Sequence, residues 1–568
     1  MRRTLWLVLT VILLILPTSA ALAQTTPPTM SVAVGLDGYC GDEEGWCPVY
    51  VVLSNEGSDV EGTLSITSEG TDATYSVPVV LPTHSRKGYY LYLPYSFLSS
   101  KMYVNLESDG LLLASTKFTV HTLATEDRLY GIIGDRPSAF NFLSGIYLGG
   151  ETAVANLDAA TLPPDPLGWE RLDLLVVNDT DTTRLDAERL AALTTWVEHG
   201  GHLVVGGGAG AIQTAVGVAD LLPVTVNGIR QVENLSALLL TGVSHVAVGP
   251  YPVAESTLRE DGNVLIEQDG LILIARRAYG DGYVDFLAFD AALNPFTAWD
   301  DTATMWTWLL NVPDHDHIAL RNRYSAMEAA EAIPGIEPPS TLQIALFTFI
   351  YILIIGPVNY LVLRWRKRLE RAWLTIPAII IAFTSCAYLV GFQIRGVRPV
   401  LNQMAAVYLP AGGRTGRVSA VMGIFSPRRT TYDVQVGSDG VYGLGRDLFG
   451  GDSAAFETIA SVDDGIVIRR LRLNVSEVEA FVGERYVEME TPATANLTVT
   501  RGTTGTLSLT GVLHNGGRSL QDAVFLVGDA RQALGDLEPD GEAAVRVSYT
   551  PFAAQARSIG DRIMGPGS

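Results

Sequence analysis

The chain has 568 residues, a hydrophobic fraction of 48% and a formal net charge of −22. This length exceeds that of one domain, so we expect three or four domains with sizeable hydrophobic cores. A surface this acidic repels nucleic acid and anionic lipid headgroups, which excludes nucleic acid as a partner.

The first 23 residues have the pattern of a secretory signal peptide. Arg2 and Arg3 precede the apolar run Leu5–Leu16, Pro17 ends that run, and Ala21-Leu22-Ala23 supplies small residues for cleavage. We therefore predict a signal peptide over residues 1–23, which implies export of the domain after it. An uncleaved membrane anchor is the alternative.

Residues 24–125 contain short β-rich runs separated by turn residues. The clearest is Val49–Leu53, which ends in the turn sequence Ser54-Asn55-Glu56-Gly57. No helical periodicity interrupts these runs. Regularly spaced short strands with turns between them predict a β-sandwich domain.

Two of the three cysteines lie in this predicted sandwich. Cys40 and Cys47 bracket a short loop, and an oxidising compartment outside the cytoplasm favours a disulfide between them. Two free thiols are the alternative. Cys386 lies in an apolar segment and is interpreted as a small apolar side chain.

From residue 126 to residue 322 the pattern alternates between strands and helices. Leu129–Ile133, Leu172–Asn178 and His202–Val205 are buried-type strands, and Asp186–His199 has helical spacing before Gly200-Gly201. Strands alternating with helices predict an α/β domain with a parallel sheet.

Candidate ligand-binding residues follow two of these strands. Gly206, Gly207 and Gly208 open a glycine-rich turn, which matches a dinucleotide-binding G-x-G-x-x-G only in part. Asp179 and Asp181 follow the Leu172–Asn178 strand, at the edge where α/β sheets bind ligands. They could hold a cation, or they could cap the turn and the helix that comes next.

No catalytic, cofactor or metal site is predicted. Asp314-His315-Asp316-His317 alternates possible metal ligands, but nothing nearby completes a site, so a solvated loop is the better interpretation. The sequence also contains no G-x-S-x-G nucleophile motif.

Three runs in this domain carry a family resemblance. They are Leu174-Leu175-Val176-Val177-Asn178-Asp179, Trp196-Val197-Glu198-His199-Gly200-Gly201 and His202-Leu203-Val204-Val205. Together they resemble class I glutamine-amidotransferase-like domains of bacterial membrane proteins. The resemblance covers roughly residues 126–315. It implies kinship with accessory proteins of ABC transporters, including gliding-motility-type ones. Catalytic members carry a Cys at the strand-to-helix elbow, whereas this domain has none, which excludes a thiolate nucleophile. The Gly206–Gly210 turn is then expected to form a surface that a partner recognises.

After a linker at residues 323–341, two membrane-length apolar segments are predicted at residues 342–363 and 373–393. The intervening residues 364–372 hold five basic residues and one acid, Glu370. A loop this short predicts a helical hairpin, and its charge places it in the cytoplasm. Gly356 and Pro357 are expected to kink the first helix.

Residues 394–568 are again strand-rich and are predicted to be extracytoplasmic. Ser508–Leu513 followed by Asn515-Gly516-Gly517 repeats the strand and turn pattern around Asn55. This pattern is common in immunoglobulin-like domains and hints at a second, similar module.

The fold class is therefore multidomain α/β plus all-β: an N-terminal β-sandwich, an α/β parallel-sheet domain, a two-helix transmembrane hairpin and a C-terminal β-sandwich-like region. We expect a membrane-anchored extracytoplasmic interaction or scaffold protein, an auxiliary subunit of an envelope transport or assembly system. Its partners would be the lipid bilayer and a membrane or envelope protein. The alternative is a ligand-binding sensor or ectoenzyme that uses loops at the strand ends of the α/β domain.

Overall fold

The protein is described by a computed structural model. The predicted signal peptide, Asp314–His317 and most of the linker lie outside the described residues. The structure describes residues 27–41, 45–69, 71, 73–147, 149–246, 248–312, 330, 340–395, 398–436, 441–444, 457–461, 465–489, 493–502, 506–528 and 530–549.

Residues 29–122 form a β-sandwich. The strands are β1 (Thr29–Val34), β2 (Tyr39–Cys40), β3 (Trp46–Asn55), β4 (Val60–Ser68), β5 (Thr74–Leu81), β6 (Ser85–Pro94), β7 (Met102–Ser108), β8 (Leu111–Phe118) and β9 (His121–Thr122). Strands β1, β3 and β6 make one sheet, and β5, β4, β7 and β8 pair in that order within the other. Side chains alternate along β7, where Met102, Val104 and Leu106 are completely buried. Cys40 and Cys47 form the predicted disulfide beside this core.

Residues 128–310 form an α/β domain. The strands are β10 (Arg128–Gly134), β11 (Thr152–Asn156), β12 (Leu174–Asn178), β13 (His202–Gly206), β14 (Val224–Asn234), β15 (Val248–Leu258), β16 (Asn263–Gln268), β17 (Leu271–Tyr279) and β18 (Gly282–Leu287). The helices are α1 (Ala187–Glu198), α2 (Ala211–Val216) and α3 (Thr302–Leu310). The central sheet has seven strands in the order β11-β10-β12-β13-β18-β17-β16. The first five strands are parallel, and β17 and β16 add antiparallel hairpins, so the sheet is mixed.

A capping aspartate and a glycine set the boundaries of helix α1. Asp186 caps it by accepting a hydrogen bond from the Arg189 N–H at 2.9 Å. The helix ends at Glu198, and Gly200 then adopts a φ of 112°, which a residue with a Cβ rarely adopts. The chain can therefore turn at once into β13.

A buried ionic cluster holds the amino-terminal end of the sheet. Asp285 accepts two hydrogen bonds of 2.6 Å from the Arg276 guanidinium, and His202 Nε2 lies 2.8 Å from the same carboxylate. Burial alone would raise the pKa of Asp285, but Arg276 and His202 hold that pKa below its ordinary value. The cluster therefore satisfies a buried charge and fixes β17 against β18.

Two helices of the chain are long and apolar enough to cross a membrane, Thr341–Trp365 and Leu369–Val390. Ser340 and Gln343 form a capping box at the start of the first. Gly356 and Pro357 lie in a π-helical segment, Ile354–Val358, because proline cannot donate to the regular helical ladder. The α-helical parts are α4 (Thr341–Leu353), α5 (Asn359–Trp365) and α6 (Ala372–Arg395).

The first seven strands after the hairpin do not form a domain of their own. They are β19 (Val400–Tyr408), β20 (Thr415–Ser426), β21 (Thr430–Val436), β22 (Val441–Leu444), β23 (Glu457–Ser461), β24 (Gly465–Leu473) and β25 (Glu477–Glu488). Strand β20 lies in a four-stranded sheet of order β19-β20-β25-β22, while β21, β24 and β23 extend the second sheet of the N-terminal sandwich. Strand β23 pairs in parallel with the edge of β5, with Thr458 opposite Tyr75.

The last described part of the chain is a small β module. Its strands are β26 (Thr494–Arg501), β27 (Leu507–His514), β28 (Leu520–Val527), β29 (Ala530–Leu537) and β30 (Glu542–Tyr549). They form sheets of order β26-β27-β30 and β28-β29.

A buried ionic junction joins three parts of the chain. The Arg417 guanidinium lies between the carboxylates of Glu170 at 2.8 Å and Glu484 at 3.1 Å. Trp46 of the N-terminal sandwich donates to Glu484 at 2.9 Å, and Tyr486 donates to Glu170 at 3.4 Å. Burial opposes the charge on Arg417, but the two carboxylates raise its pKa above the ordinary value. The junction therefore carries a buried charge that only the assembled domains satisfy.

A second contact joins the carboxyl end of α1 to the start of β20. Glu198 accepts hydrogen bonds from the backbone N–H groups of Arg414 and Thr415, and His199 Nε2 lies 2.7 Å from the Thr415 carbonyl. The His199 ring also packs edge-on against Tyr486, with 4.9 Å between the ring centroids. The α/β domain is therefore fixed to the strands that come after the hairpin.

We expect the substitution Arg417→Ala to lower the free energy of unfolding by about 3–5 kcal/mol, because it leaves two buried carboxylates without a counter-charge. The matched control is Arg414→Ala, which removes an exposed side chain three positions away. Urea denaturation of the detergent-solubilised protein, followed by tryptophan fluorescence, measures both. Equal losses in the two variants would contradict the junction's role.

Candidate functional site

The predicted site residues lie at the carboxyl-terminal edge of the central sheet. The five parallel strands lie side by side in the order β11-β10-β12-β13-β18. The chain therefore leaves β10 toward one edge of the sheet and continues from β12 toward the other, which makes a switch point between β10 and β12. Open α/β sheets bind ligands outside the carboxyl ends of strands at such a switch point. Asp135 and Arg136 follow β10 here, and Asp179 follows β12.

Asp179 is held in an unfavourable electrostatic environment. Its backbone is left-handed, with a φ of 48°, and its N–H donates to the Gly206 carbonyl at 3.3 Å. Burial raises the pKa of its carboxyl, and the neighbouring carboxylates of Asp290 and Asp135 raise it further, against the attraction of Arg136. The caps of the next turn and of helix α1 are Asp181 and Asp186, so Asp179 caps neither of them.

Asp181 does cap a turn, which is one of the two roles weighed for it. Its Oδ1 accepts hydrogen bonds from the Thr183 N–H at 3.0 Å and the Thr183 hydroxyl at 2.6 Å. These bonds lower the pKa of its carboxyl. The side chain begins the short 3₁₀ segment Thr182–Arg184 and is committed to that contact.

The structure adds a residue that sequence analysis missed. Asp290 is buried and lies in the loop after β18. Its Oδ1 accepts hydrogen bonds from Asn178 Nδ2 at 2.6 Å and the Ala292 N–H at 2.8 Å. Its Oδ2 lies 3.9 Å from Arg136 Nη1. Asp135, Arg136 and Asp290 each follow a buried strand. Asp179 was selected because it follows a buried strand, so the same signal in the sequence indicates these three residues.

The glycine-rich turn is a packing feature. Gly206, Gly207 and Gly208 are buried, and Gly208 has a φ of 47°. A Cβ on Gly208 would lie 2.9 Å from the Asp290 backbone nitrogen and 3.1 Å from the Pro252 carbonyl oxygen. The next helix, α2, has only six residues. The turn thus lets β13, β15 and the Asp290 loop approach one another, and it exposes no loop that could cradle an anion.

A small cavity lies at this edge of the sheet. An apolar cavity of about 10 Å³ lies beneath the Thr180–Thr182 loop and is lined by Ile133, Trp169 and Leu193. That volume is about one water molecule, and the lining offers it few polar partners. Within the described ranges, no group of three or more His, Cys, Asp or Glu side chains has the geometry of a metal site.

The groups at this edge are charged and could recognise a ligand. Three carboxylates and one guanidinium lie around the ends of β10, β12 and β18. Among the described residues of the domain, no thiol is present to act as a nucleophile. A small cationic group could meet the carboxylates at the surface.

The comparisons with known proteins cover only parts of the chain. The family described as "Domain of unknown function (DUF8726)" matches residues 27–121, the N-terminal sandwich. No curated protein matches the sequence.

Among solved structures, the chain is similar to the Cytoplasmic Protein STM1381 from Salmonella typhimurium LT2, at 17% identity over 33% of this chain and 100% of that one, with a TM-score of 0.28. The Cytoplasmic Protein STM3548 from Salmonella typhimurium shares 15% identity over 33% of this chain and 100% of its own, also at 0.28. The Exo-beta-1,4-mannosidase Op5Man5 from Opitutaceae bacterium strain TAV5 shares 12% identity over 34% of this chain and 37% of its own, at 0.26. These TM-scores are too low to assign a fold or a function.

We expect Asp179→Asn to raise the free energy of unfolding at pH 7 by ~0.5 kcal/mol, because it removes a charge from beside two carboxylates at a partly exposed position. The folded pKa of Asp179 is raised above its unfolded value of about 3.9, so wild type loses stability as the pH rises between these two values. The gain of the variant should therefore vanish below about pH 3.9. Denaturant titrations from about pH 3 to about pH 8 measure it.

The matched variant Asp181→Ala should behave in the opposite way. The pKa of Asp181 is lowered in the folded state, so its contribution is present at neutral pH and is lost as the pH falls through the folded pKa. The same titrations should show destabilisation at neutral pH. Equal effects of the two variants would refute the electrostatic difference between these carboxylates.

We expect Gly207→Asp to destabilise the protein by about 3 kcal/mol, because a carboxylate would be buried beside Ala211 and Thr214. Ala209→Asp in the same turn is the control, since Ala209 is exposed and its substitution should be nearly neutral. Thermal unfolding in detergent measures both. A folded Gly207→Asp protein that loses only partner binding would restore the prediction that this turn is a recognition surface.

Proposed function

We propose that this chain is a membrane-anchored extracytoplasmic scaffold, an auxiliary subunit of an envelope transport or assembly system. In this proposal a two-helix hairpin anchors the chain, residues 364–372 are cytoplasmic, and the β-sandwich, the α/β domain and the C-terminal strands lie outside. Its partners are the lipid bilayer and a membrane or envelope protein. The α/β domain is an inactive relative of glutamine-amidotransferase-like domains.

The observation that carries the proposal is the pairing of β23 with β5. One strand precedes the hairpin and the other comes after it, so both must lie on the same side of any membrane that the hairpin crosses. Two crossings return the chain to its starting side, whereas one crossing would separate the strands. The ionic junction of Arg417 with Glu170 supports the same conclusion, since its partners also lie on either side of the hairpin in sequence.

The surface of the hairpin supports a membrane environment. Large apolar side chains such as Leu342, Phe349, Trp373 and Ile381 are exposed along both helices. Apolar surface of this extent is stable in lipid and unstable in water. The basic residues between the helices then decide the orientation, because cytoplasmic loops are rich in Lys and Arg.

A scaffold role agrees with the organisation of the exported parts. They are joined by buried polar contacts, such as those of Glu198 with the β20 backbone and of Trp46 with Glu484. Such contacts fix the domains in one arrangement, which suits a protein that presents a fixed surface. Among the described residues of the α/β domain, no thiol lies at the strand ends to act as the nucleophile of a glutamine amidotransferase.

A ligand sensor is the second candidate, and one observation favours it. Asp135, Asp179 and Asp290 gather around Arg136 at the switch point of the sheet, and the pKa of Asp179 is raised there. Perturbed carboxyl groups occur often at binding sites. The small apolar cavity nearby argues against an enclosed ligand, so the scaffold role is preferred.

The topology is tested by labelling single thiols in intact cells with a membrane-impermeant maleimide. The background carries Cys386→Ala, and probes are placed by Lys117→Cys before the hairpin, Glu370→Cys in its loop and Ser548→Cys after it; Glu370→Cys keeps all five basic residues. We expect the first and last probes to react in intact cells and the loop probe to react only after lysis. Protection of either outer probe in intact cells, with labelling after lysis, would overturn the proposed orientation.

A further inference from the structure

The N-terminal sandwich and the C-terminal module share an unusual buried asparagine. Asn55 ends β3 and is only 1% exposed. Its Nδ2 donates to the carbonyls of Ser58 at 2.7 Å, Leu81 at 3.1 Å and Pro82 at 3.2 Å, while its Oδ1 accepts from the Gly57 N–H at 3.0 Å. One side chain therefore ties the turn after β3 to the end of β5.

Asn515 makes the same set of contacts in the C-terminal module. It follows β27 and is 2% exposed. Its Nδ2 donates to the carbonyls of Arg518 at 2.8 Å, Leu537 at 3.2 Å and Glu538 at 3.1 Å, and its Oδ1 accepts from the Gly517 N–H at 3.2 Å. The sequence similarity between the two turns thus reflects one structural device used twice.

Strand pairing around the two asparagines is equivalent as well. The sheet β1-β3-β6 corresponds to β26-β27-β30, and the pair β4-β5 corresponds to β28-β29. Counted from each asparagine, one residue of each matching pair lies at the same position: Ser54 and His514 come one residue before it, and Val60 and Leu520 come five residues after it. The matching pairs are Thr29 with Ser54 and Thr494 with His514, then Val60 with Leu81 and Leu520 with Leu537.

The two modules differ in how the second sheet is completed. In the N-terminal sandwich, β4 pairs with β7 on its outer edge, and β5 pairs with β23. In the C-terminal module, β28 pairs with β29, and neither has another paired strand within the described residues. Unpaired strand edges are templates for the addition of another strand.

Burial differs at the equivalent positions. Leu64 and Ile66 of β4 are completely buried, whereas their counterparts Val524 and Leu526 of β28 are only half-buried, and Leu520 is 41% exposed. The run Ala523–Val527 carries no charge and no proline, which are the residues that normally protect an edge strand. The C-terminal module therefore has the core of a sandwich that lacks one strand.

We infer that the outer edge of β28 is a docking site for an extended, uncharged segment of a partner protein, which adds as an antiparallel strand. The template is β7, whose Met102, Val104 and Leu106 complete the core over β4 at the equivalent edge. The partner segment should likewise carry aliphatic side chains at alternate positions. Main-chain hydrogen bonds would supply affinity, and the half-buried apolar positions of β28 would select the alternate side chains.

The stretch of sequence that corresponds in position to β7 lacks this alternating pattern. Residues 557–562 follow β30 at about the same distance in sequence as β7 follows β6. Neither alternating set there is apolar: one is Arg557, Ile559 and Asp561, and the other is Ser558, Gly560 and Arg562. A partner segment with the alternating pattern of β7 would complete the core at this edge. This inference names the kind of partner for the proposed scaffold and rests on that role.

The test is amide hydrogen exchange of the full chain in detergent, with the uncharged part of the β7 sequence, Met102–Leu106, as the peptide probe. At about ten times the Kd of the peptide we expect exchange in Leu520–Val527 to slow by about tenfold, since bound ligand scales the protection by 1 + [L]/Kd. Strand β4 is the internal control, because its edge is already occupied. A peptide carrying Val104→Asp should give no protection.

A second arm uses variants of the protein. Val524→Lys should abolish the effect of the peptide, while Val499→Lys, at an exposed position of β26, should leave it intact. Unchanged protection of β27 and β30 reports that the module stays folded in the variants.

No protection of β28 in wild type at millimolar peptide would overturn the inference. Protection that rises with protein concentration without peptide would also overturn it, because a second copy would then cover the edge. Protection that depends only on lipid would overturn it in favour of the membrane surface. None of these results bears on thiol labelling of the hairpin, so a failure here is distinguishable from a failure of the proposed topology.

Discussion

The arrangement of the folded domains depends on one buried cation. Arg417 lies between Glu170 and Glu484, with only 11% of its side chain exposed, and each carboxylate comes from a different part of the chain. A buried guanidinium is tolerated only where its charge is matched, so the strands after the hairpin and the α/β domain must dock together. Trp46 extends the same constraint to the N-terminal sandwich through its bond to Glu484. Specific docking, more than apolar contact, therefore fixes the relative positions of the domains.

Local patterns in the sequence predicted local structure well. The spacing of Leu190, Leu193 and Val197 indicated helix α1, and the short bracketed loop indicated the disulfide of Cys40 with Cys47, because both depend on neighbours in sequence. The parallel run of β10, β12 and β13 was also predictable, since buried strands have a recognisable composition. The antiparallel pairing of β17 with β18 makes the sheet mixed, which the alternation of strands and helices does not predict.

Long-range pairing was not predictable from the sequence. Nothing in Glu457–Ser461 indicates that this strand completes a sheet with β5, because a strand edge accepts many sequences of similar composition. The candidate site shows the same limit. Asp179 and Asp181 look alike in sequence, yet one lies near two carboxylates and the other caps a turn, and only the fold distinguishes them. The glycine turn was visible, but its burial beneath β15 was not.

The pairing of β5 with β23 also sets an order of events during biosynthesis. Trp46 and Glu484 are separated by 438 residues, so the N-terminal sandwich is synthesised long before its partner strands are made. At about 5–20 residues per second this interval is roughly 20–90 s, during which the Trp46 indole has no Glu484 to donate to. The sandwich is therefore completed only after the two apolar helices have been synthesised. In the proposed topology, correct insertion of these helices thereby becomes a checkpoint for the folding of domains that lie far from them in sequence.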